Sequence, residues 1–296
     1  MKRKKVNYLS NKDLLVEIHK SKMSYSSAID EKYSFFDAVI PLDQPPIITD
    51  AVVQEAKENK AKRLSMKNYD EAINQWMEQD GKYADKPKQA DNAVSPNDIP
   101  LESLVIRIMT FDHVPEQKRK KNPKTIADNH IRCNFPPFKQ YAYIEGEWRE
   151  VVRSHWIGGF NNGHFSLDHG QVTRKYSLML MKMVDNYAMK GNWRGYSYID
   201  EMKGAALVQL SQVSLYYDES KGSNPFSYIT SCLSNSFTGV LNNEKKMQNI
   251  RDAVLEANGQ LPSYNRQIED ELAQQNARRE HEESLIKEQN DAGYNI

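Results

Sequence analysis

From Tyr176 onward apolar residues recur every three or four positions, the period of a helix with one buried face. Leu180, Met183, Val184 and Tyr187 make the first such face, and Gly191 and Gly195 interrupt it. Met202, Ala206, Leu210, Val213 and Tyr217 predict a second helix over about Tyr198 to Tyr217. Asp218 to Ser223 then reads as a turn. Asn224 can cap a third helix and Pro225 suits its first turn, where a missing N–H has no intrahelical partner anyway. Phe226, Ile229, Leu233, Phe237 and Val240 form its apolar stripe, and Gly259 to Pro262 ends the run. A charged helix with few apolar residues follows over about Tyr264 to Glu288, expected to be solvated, with a frayed tail to Ile296. Met179, Met181 and Met183 read as core filler.

The earlier chain is less regular. Asn11 could cap a short helix whose apolar edge is Leu14, Leu15 and Ile18. Ser24 to Pro46 loses the period, and Pro41 to Pro46 reads as loop or extended chain. A helix from Thr49 passes through EAKENKAKRL, and Tyr69 to Met77 reads as another, with Ala72, Ile73 and Trp76 on one side. Residues 81–100, with prolines and little periodicity, are the best linker candidate. Leu101 to Phe111 fits a strand or a short buried helix equally well. QYAYI and WREVV alternate on either side of Glu145-Gly146-Glu147 and predict a β-hairpin, punctuated afterwards by Gly158-Gly159 and Asn161-Asn162-Gly163. No internal repeat is visible.

Length and composition narrow the function classes. At 296 residues the chain can hold one large domain or two modest ones. Charged residues make up 27% and mean hydropathy is -0.77, which suits long polar stretches better than one dense globule. Formal net charge is zero, so nucleic-acid contact must come from local patches such as Lys2–Lys5, Lys118–Lys124 and Lys245–Lys246. Cys133 and Cys232 are far apart and suggest no disulfide framework. No apolar run approaches a membrane span, and MKRKK is followed by no apolar segment of a signal peptide. The expectation is a soluble cytoplasmic protein that does not engage membranes.

The third helix has a second face. Tyr228, Ser231, Asn235, Thr238, Asn242 and Lys245, joined by Lys246, run from aromatic through short hydrogen-bonding to basic residues. A solvated face would be mostly Lys and Glu. Strand separation needs the groups found here: lysines for phosphates, an amide that can pair with adenine N6 and N7, and an aromatic ring for unstacked bases. On these grounds Asn235 reads a base edge, Thr238 contacts another edge or a thymine methyl, and Tyr228 stacks. Phe226 fits either stacking or the packing stripe.

The run Tyr176 to Lys246 resembles the helical core, region 2, of sigma factors, above all the late-transcription sigma factors of T-even-type bacteriophages. Leu178 to Met181, Gly195-Tyr196, Glu201-Met202, Tyr217-Asp218-Glu219, Lys221, NPFSYIT, Asn235, Phe237, Glu244 and Lys246 carry the resemblance. A second patch, Asn7-Tyr8, Asn11 to Leu15 and Ile18, resembles the N-terminus of the same proteins. Together they cover roughly a third of the chain. The resemblance implies a mainly α fold: residues 1–37 as an N-terminal helical segment, and 173–258 as the region 2-like domain. An inserted α+β segment with the hairpin would span 38–172, and 259–296 would be a charged helix and tail.

The same resemblance implies that the protein binds host core RNA polymerase in the cytoplasm of an infected bacterium. It would direct the polymerase to late promoters by recognising and melting an AT-rich minus-ten-type element. Tyr228 stands where the family stacks a tyrosine on the first unpaired adenine, and Asn235 and Thr238 where primary sigmas read the upstream pair. Ser231 and Cys232 replace the paired tryptophans of primary sigmas, as in the phage late sigmas. The helix from Asp200 matches the one that docks on the coiled coil of the largest polymerase subunit, with Asp200, Glu201, Gly204, Ala205 and Leu207 as candidate contacts. Gly204, Ala205 and Ala206 replace polar residues expected there. The C-terminus offers only Leu285, Ile286, Tyr294 and Ile296 in place of the hydrophobic–aromatic peptide with which such sigmas grip the phage sliding clamp. The clamp and a co-activator therefore stand only as candidate partners. No catalytic residue, metal or cofactor is expected.

Two rival readings remain. Asp112-His113, Asn129-His130 and Cys133-Asn134 loosely resemble an HNH nuclease, but the cysteine pairs that staple such folds are missing. His155, His164, Asp168 and His169 match no zinc spacing, and isolated loop histidines are the default. A polymerase-binding adaptor would keep the Asp200 helix and need none of the Tyr228–Asn235–Thr238 face.

Overall fold

The computed structural model describes residues 9–79, 86–222 and 224–293. The chain divides into two compact units, Met1–Ser234 and Asn235–Ile296. With 55% of residues helical and 12% in strands, it is mainly α with a small sheet.

In the first unit, α1 (Asn11–Ser24) is capped by Ser10, whose Oγ accepts from the Asp13 N–H at 3.1 Å. The cap lies one residue before the predicted Asn11. Leu14 and Ile18 are buried. The stretch expected to be irregular contains two short strands, β1 (Ser26–Ala28) and β2 (Ala38–Ile40). One continuous helix follows, α2 (Asp50–Glu78), where two were expected; no glycine or proline falls between its halves to break it. Residues 81–85 of the predicted linker lie outside the described residues. The remainder, 86–100, is not a free linker. It makes 3₁₀ turns at Ala90–Asn92 and Pro96–Asp98, buries Ile99, and donates the Val94 N–H to Ser65 Oγ on α2 at 2.8 Å.

The ambiguous Leu101–Phe111 segment becomes β3 (Val105–Met109), buried along its whole length. The predicted hairpin is β4 (Phe138–Ile144) and β5 (Glu147–Ser154), with Ile144 opposite Glu147. Its two turn residues both have positive φ, Glu145 at 52° and Gly146 at 88°, which matches the right-handed twist of the strands. Gly146 takes that conformation without a Cβ penalty. The five-stranded sheet has the order β1-β5-β4-β3-β2, antiparallel except for β2 beside β3. Because β1 precedes residue 38 and pairs with β5, the proposed 37/38 boundary cuts through this sheet. Ile40, Ile106, Ile108 and Leu104 pack with Ala56 and Ala61 of α2, where the small side chains allow close helix–sheet approach. A two-stranded ribbon, β6 (Trp156–Ile157) with β7 (His164–Phe165), follows.

The helical end agrees closely with its periodicity. α3 (Arg174–Ala188) buries Tyr176, Met179, Leu180, Met183, Val184 and Tyr187, and α4 (Ile199–Val213) buries Met202, Ala206 and Leu210. Met181 remains 49% exposed, so it is not core filler as expected. α5 (Pro225–Ala257) is a single 33-residue helix in which Ile229, Leu233 and Phe237 are buried. The unit boundary falls inside it, between Ser234 and Asn235, not at 172/173 or 258/259. In the second unit Gly259, at φ 69°, ends the helix, and the Gln260 N–H returns to the Leu255 carbonyl at 2.8 Å. The turn into α6 (Tyr264–Gly293) is fastened by Asp252, which accepts from the Ser263 N–H and Oγ at 2.9 and 2.7 Å. As expected, α6 is largely exposed where its side chains are described, with Arg266 and Gln267 half-buried near its start.

Candidate nucleic-acid interface

Two side chains organise the start of α5. Asn224 Oδ1 accepts from the Ser227 N–H at 3.0 Å, and Asn11 Oδ1 from the Phe226 N–H at 3.1 Å. Both bonds use N–H groups that the first helical turn leaves free. The two stretches that carry the family resemblance therefore meet at this point. Leu9, Met183, Tyr187, Phe226 and Leu233 line a cavity of about 100 Å³ beside it.

The two aromatic residues at the start of α5 differ in exposure. Tyr228 is half-buried; its hydroxyl donates to the Val213 carbonyl at 2.8 Å and its ring lies 5.7 Å from that of Tyr217. Burial pushes its hydroxyl pKa up. It fastens the end of α4 to α5 and does not stand open for a base. Phe226, which fits either stacking or the packing stripe by sequence, is 41% exposed and lines the cavity beside the start of α5. The partner missed is the carbonyl of Val213, the last residue of α4, which helical spacing within α5 does not reveal. Ser231 is exposed, with its hydroxyl donating to the Ser227 carbonyl at 3.0 Å.

In the second unit, Asn235, Thr238, Asn242 and Lys245 follow one another at three- and four-residue steps, which puts them on one face of α5. All four and Lys246 are exposed. Among the described residues, no carboxylate lies within ion-pair distance of Lys245 or Lys246. This face has amide, hydroxyl and ammonium groups available to solvent and no competing carboxylate on the same positions.

On α4, Asp200, Glu201 and Gly204 are exposed, and Ala205 and Leu207 are half-buried. Asp200 lies 3.5 Å from Lys203, which also approaches Asp185 at 3.6 Å. Val208, not singled out from the sequence, is 61% exposed one turn beyond Gly204. A Cβ on Gly204 would meet nothing within 4 Å, so the chain's own packing does not require glycine there.

Glu219, within the Tyr217-Asp218-Glu219 part of the resemblance, is the centre of a buried ionic cluster. Lys22 Nζ donates to both of its carboxylate oxygens at 2.8 and 2.7 Å and to the Tyr217 carbonyl at 2.7 Å. Arg107 Nη1 lies 3.7 Å from the same carboxylate. Its guanidinium sits between the rings of Phe36 and Phe138, at 4.0 and 3.7 Å, and donates twice to Gln140 Oε1. Burial would raise the Glu219 carboxyl, but Lys22 and Arg107 outweigh it and hold it at about 2. This cluster ties α1, β3, β4 and the turn before α5 together.

The histidines of the nuclease reading have structural partners. His113 Nε2 bonds the Ser154 carbonyl at 3.0 Å, and His130 Nδ1 the Ile126 carbonyl at 2.8 Å. Burial lowers the pKa of His113 to about 4 and that of His155 to about 3. Among the described residues, no group of three or more His, Cys, Asp or Glu is arranged to hold a metal ion. No helix among the described residues is long and apolar enough to cross a membrane. Lys2–Lys5, Asn7, Tyr8, Tyr294 and Ile296 lie outside the described residues.

Comparisons with protein-family models, curated proteins and solved structures return no match to this chain.

Proposed function

We propose that this chain is a phage-encoded sigma factor that binds host core RNA polymerase and directs it to late promoters with an AT-rich minus-ten-type element. The observation that carries this reading is the open Asn235–Thr238–Asn242–Lys245 face of α5. It has two amides able to pair with adenine, a threonine suited to a thymine methyl, and a cation for phosphate. The exposed Asp200–Glu201–Gly204–Val208 surface of α4 supplies the polymerase contact. Phe226, open at the start of α5, takes the stacking role that the sequence assigned to Tyr228.

In vitro transcription with core polymerase, on late-promoter and scrambled templates, tests the proposal. Promoter-specific opening should require both proteins, while metal-dependent cleavage by this chain alone would replace the proposal with the nuclease reading. In the same assay Asn235→Ala should relax preference at one promoter position by ~1–3 kcal/mol and leave the salt dependence unchanged. Lys245→Ala should weaken all templates alike and lower the salt slope by about one. If Asn235→Ala weakens every template equally, this face touches backbone and does not read bases.

Gly204 separates folding from docking. Gly204→Ala should stabilise the free chain by ~0.5–1 kcal/mol, because a mid-helix glycine loses more backbone entropy and the site is open. The same methyl should crowd a closely packed partner and cost ~1 kcal/mol or more in polymerase affinity. Thermal melting and a binding titration measure the two effects. Unchanged affinity would remove Gly204 from the interface.

A further inference from the structure

The segment 115–131, between β3 and β4, carries five cations in seven positions: Lys118, Arg119, Lys120, Lys121 and Lys124. Its conformation is braced. The Gln117 N–H donates to the Asn129 carbonyl at 2.8 Å, Arg119 N–H to the Asp128 carbonyl at 3.1 Å, and Ile131 N–H to the Pro115 carbonyl at 3.1 Å. These bonds fold the segment back on itself as an arm. Asp128 fixes the tip: its buried carboxylate accepts from the Lys124 and Thr125 N–H groups at 3.2 Å each and from Lys120 Nζ at 2.8 Å. Arg119 donates to the Ala127 carbonyl.

The other three lysines are left over. Residues 116–126 are exposed, and among the described residues no carboxylate lies within ion-pair distance of Lys118, Lys121 or Lys124. The single acidic group at the tip is spent on the arm's own geometry. In a chain of zero net charge this is a concentrated, supported positive surface.

We propose that this arm grips the phosphate backbone of nucleic acid, as a contact separate from α5 and independent of promoter reading. The chemistry favours nucleic acid over an acidic protein. Between residues 115 and 131 Ile126 is the one exposed large apolar side chain, whereas protein interfaces concentrate their energy in clustered anchors. Interfaces with nucleic acid are more polar and much more positively charged. The groups the arm leaves unpaired are three ammonium ions, which hold phosphate and carry no sequence information themselves, although Gln117 and Asn122 stand exposed among them.

The test is anisotropy of the full chain with a labelled random-sequence duplex, titrated at several salt concentrations. Lys118→Gln/Lys121→Gln/Lys124→Gln should weaken binding by on the order of tenfold at low salt and reduce the salt slope by about two to three. All three side chains are exposed, so far-UV circular dichroism and Tm should match the wild type. Asp128→Ala is the sharper variant. It makes the chain more positive, so unspecific attraction alone would strengthen binding; loss of the brace should weaken it. The Gln triple in a Lys245→Ala background should lose the same factor as in the wild type. Equal duplex affinity and slope for the triple variant and the wild type would overturn the proposal. So would loss of binding to a poly-glutamate peptide with duplex binding intact, which would assign the arm to an acidic protein. Tighter binding by Asp128→Ala would overturn the braced arm.

Discussion

Lys22→Met should destabilise the protein by ~3–5 kcal/mol, the cost of removing one partner from a buried charge pair. Lys22 is fully buried, and its ammonium satisfies both oxygens of Glu219 and the Tyr217 carbonyl. Without it, Glu219 keeps Arg107 at 3.7 Å and His19 at the same distance as its nearest cationic or ionisable neighbours. Glu219→Gln should be destabilising for the same reason, since it leaves two buried cations uncompensated. The double variant should cost clearly less than the sum of the singles, because neither charge then remains without its partner. Urea denaturation of the four proteins measures all three quantities. Single losses below ~1 kcal/mol, adding in the double variant, would mean that water reaches the cluster. Against a typical stability of ~5–15 kcal/mol, the expected loss is large enough to make the chain poorly folded at growth temperature.

The cluster also marks the limit of what could be read from the sequence. α3, α4 and α5 were legible because their apolar residues follow the helical period, and the β4–β5 hairpin because alternation and a Glu-Gly turn coincide. Lys22 and Arg107 were not. Arg107 sits in VIRIM, where a lone charge reads as the solvent side of a strand, and its partners Gln140 and Glu219 come from distant segments. Glu219 was noticed only as part of a family pattern, without its role. At the candidate site, the exposure of Asn235, Thr238, Asn242 and Lys245 follows from their spacing away from Ile229 and Leu233. The inward turn of Tyr228 does not, since it depends on a carbonyl at the end of the preceding helix. The continuity of α2 was missed because its polar middle has little periodicity, although it has no breaker either.

Acid should unfold this protein early. His19, His113 and His155 are held neutral by burial, which lowers their pKa to about 3, 4 and 3. Neighbouring cations act in the same direction, Arg107 on His19 and Lys139 on His113, while Glu219 opposes on His19. An unfolded histidine titrates near ~6.5, so below that pH the unfolded chain binds protons that the folded one refuses. The stabilisation from these groups is complete above ~6.5 and falls by ~1.4 kcal/mol per group for each pH unit below it. By pH ~5 the three together should cost roughly 6 kcal/mol. Glu219 acts later. Its carboxyl titrates at about 2, so its contribution is intact above the ordinary carboxylate range and is lost only as pH falls through that range towards 2. Urea midpoints at pH 7.5, 6.5, 5.5 and 5.0 should therefore fall steeply after the second point. His19→Leu should make the slope shallower by about one proton. A flat profile from pH 7 to 5 would show that these rings protonate in the folded state.

The sheet order has a consequence for how the protein is made. Its two outer strands, β1 and β2, are three residues each, and both come from residues 26–40. The long strands β3, β4 and β5 lie between them and would, without those two, present open edges able to pair with other chains. The guard strands are synthesised first. At about 5–20 residues per second they leave the ribosome several seconds before the last strand they protect. Each aggregation-prone edge can thus be covered as soon as it forms. A shortened gene product starting after Ile40 would keep every long strand and lose both guards, and inclusion bodies are its expected fate.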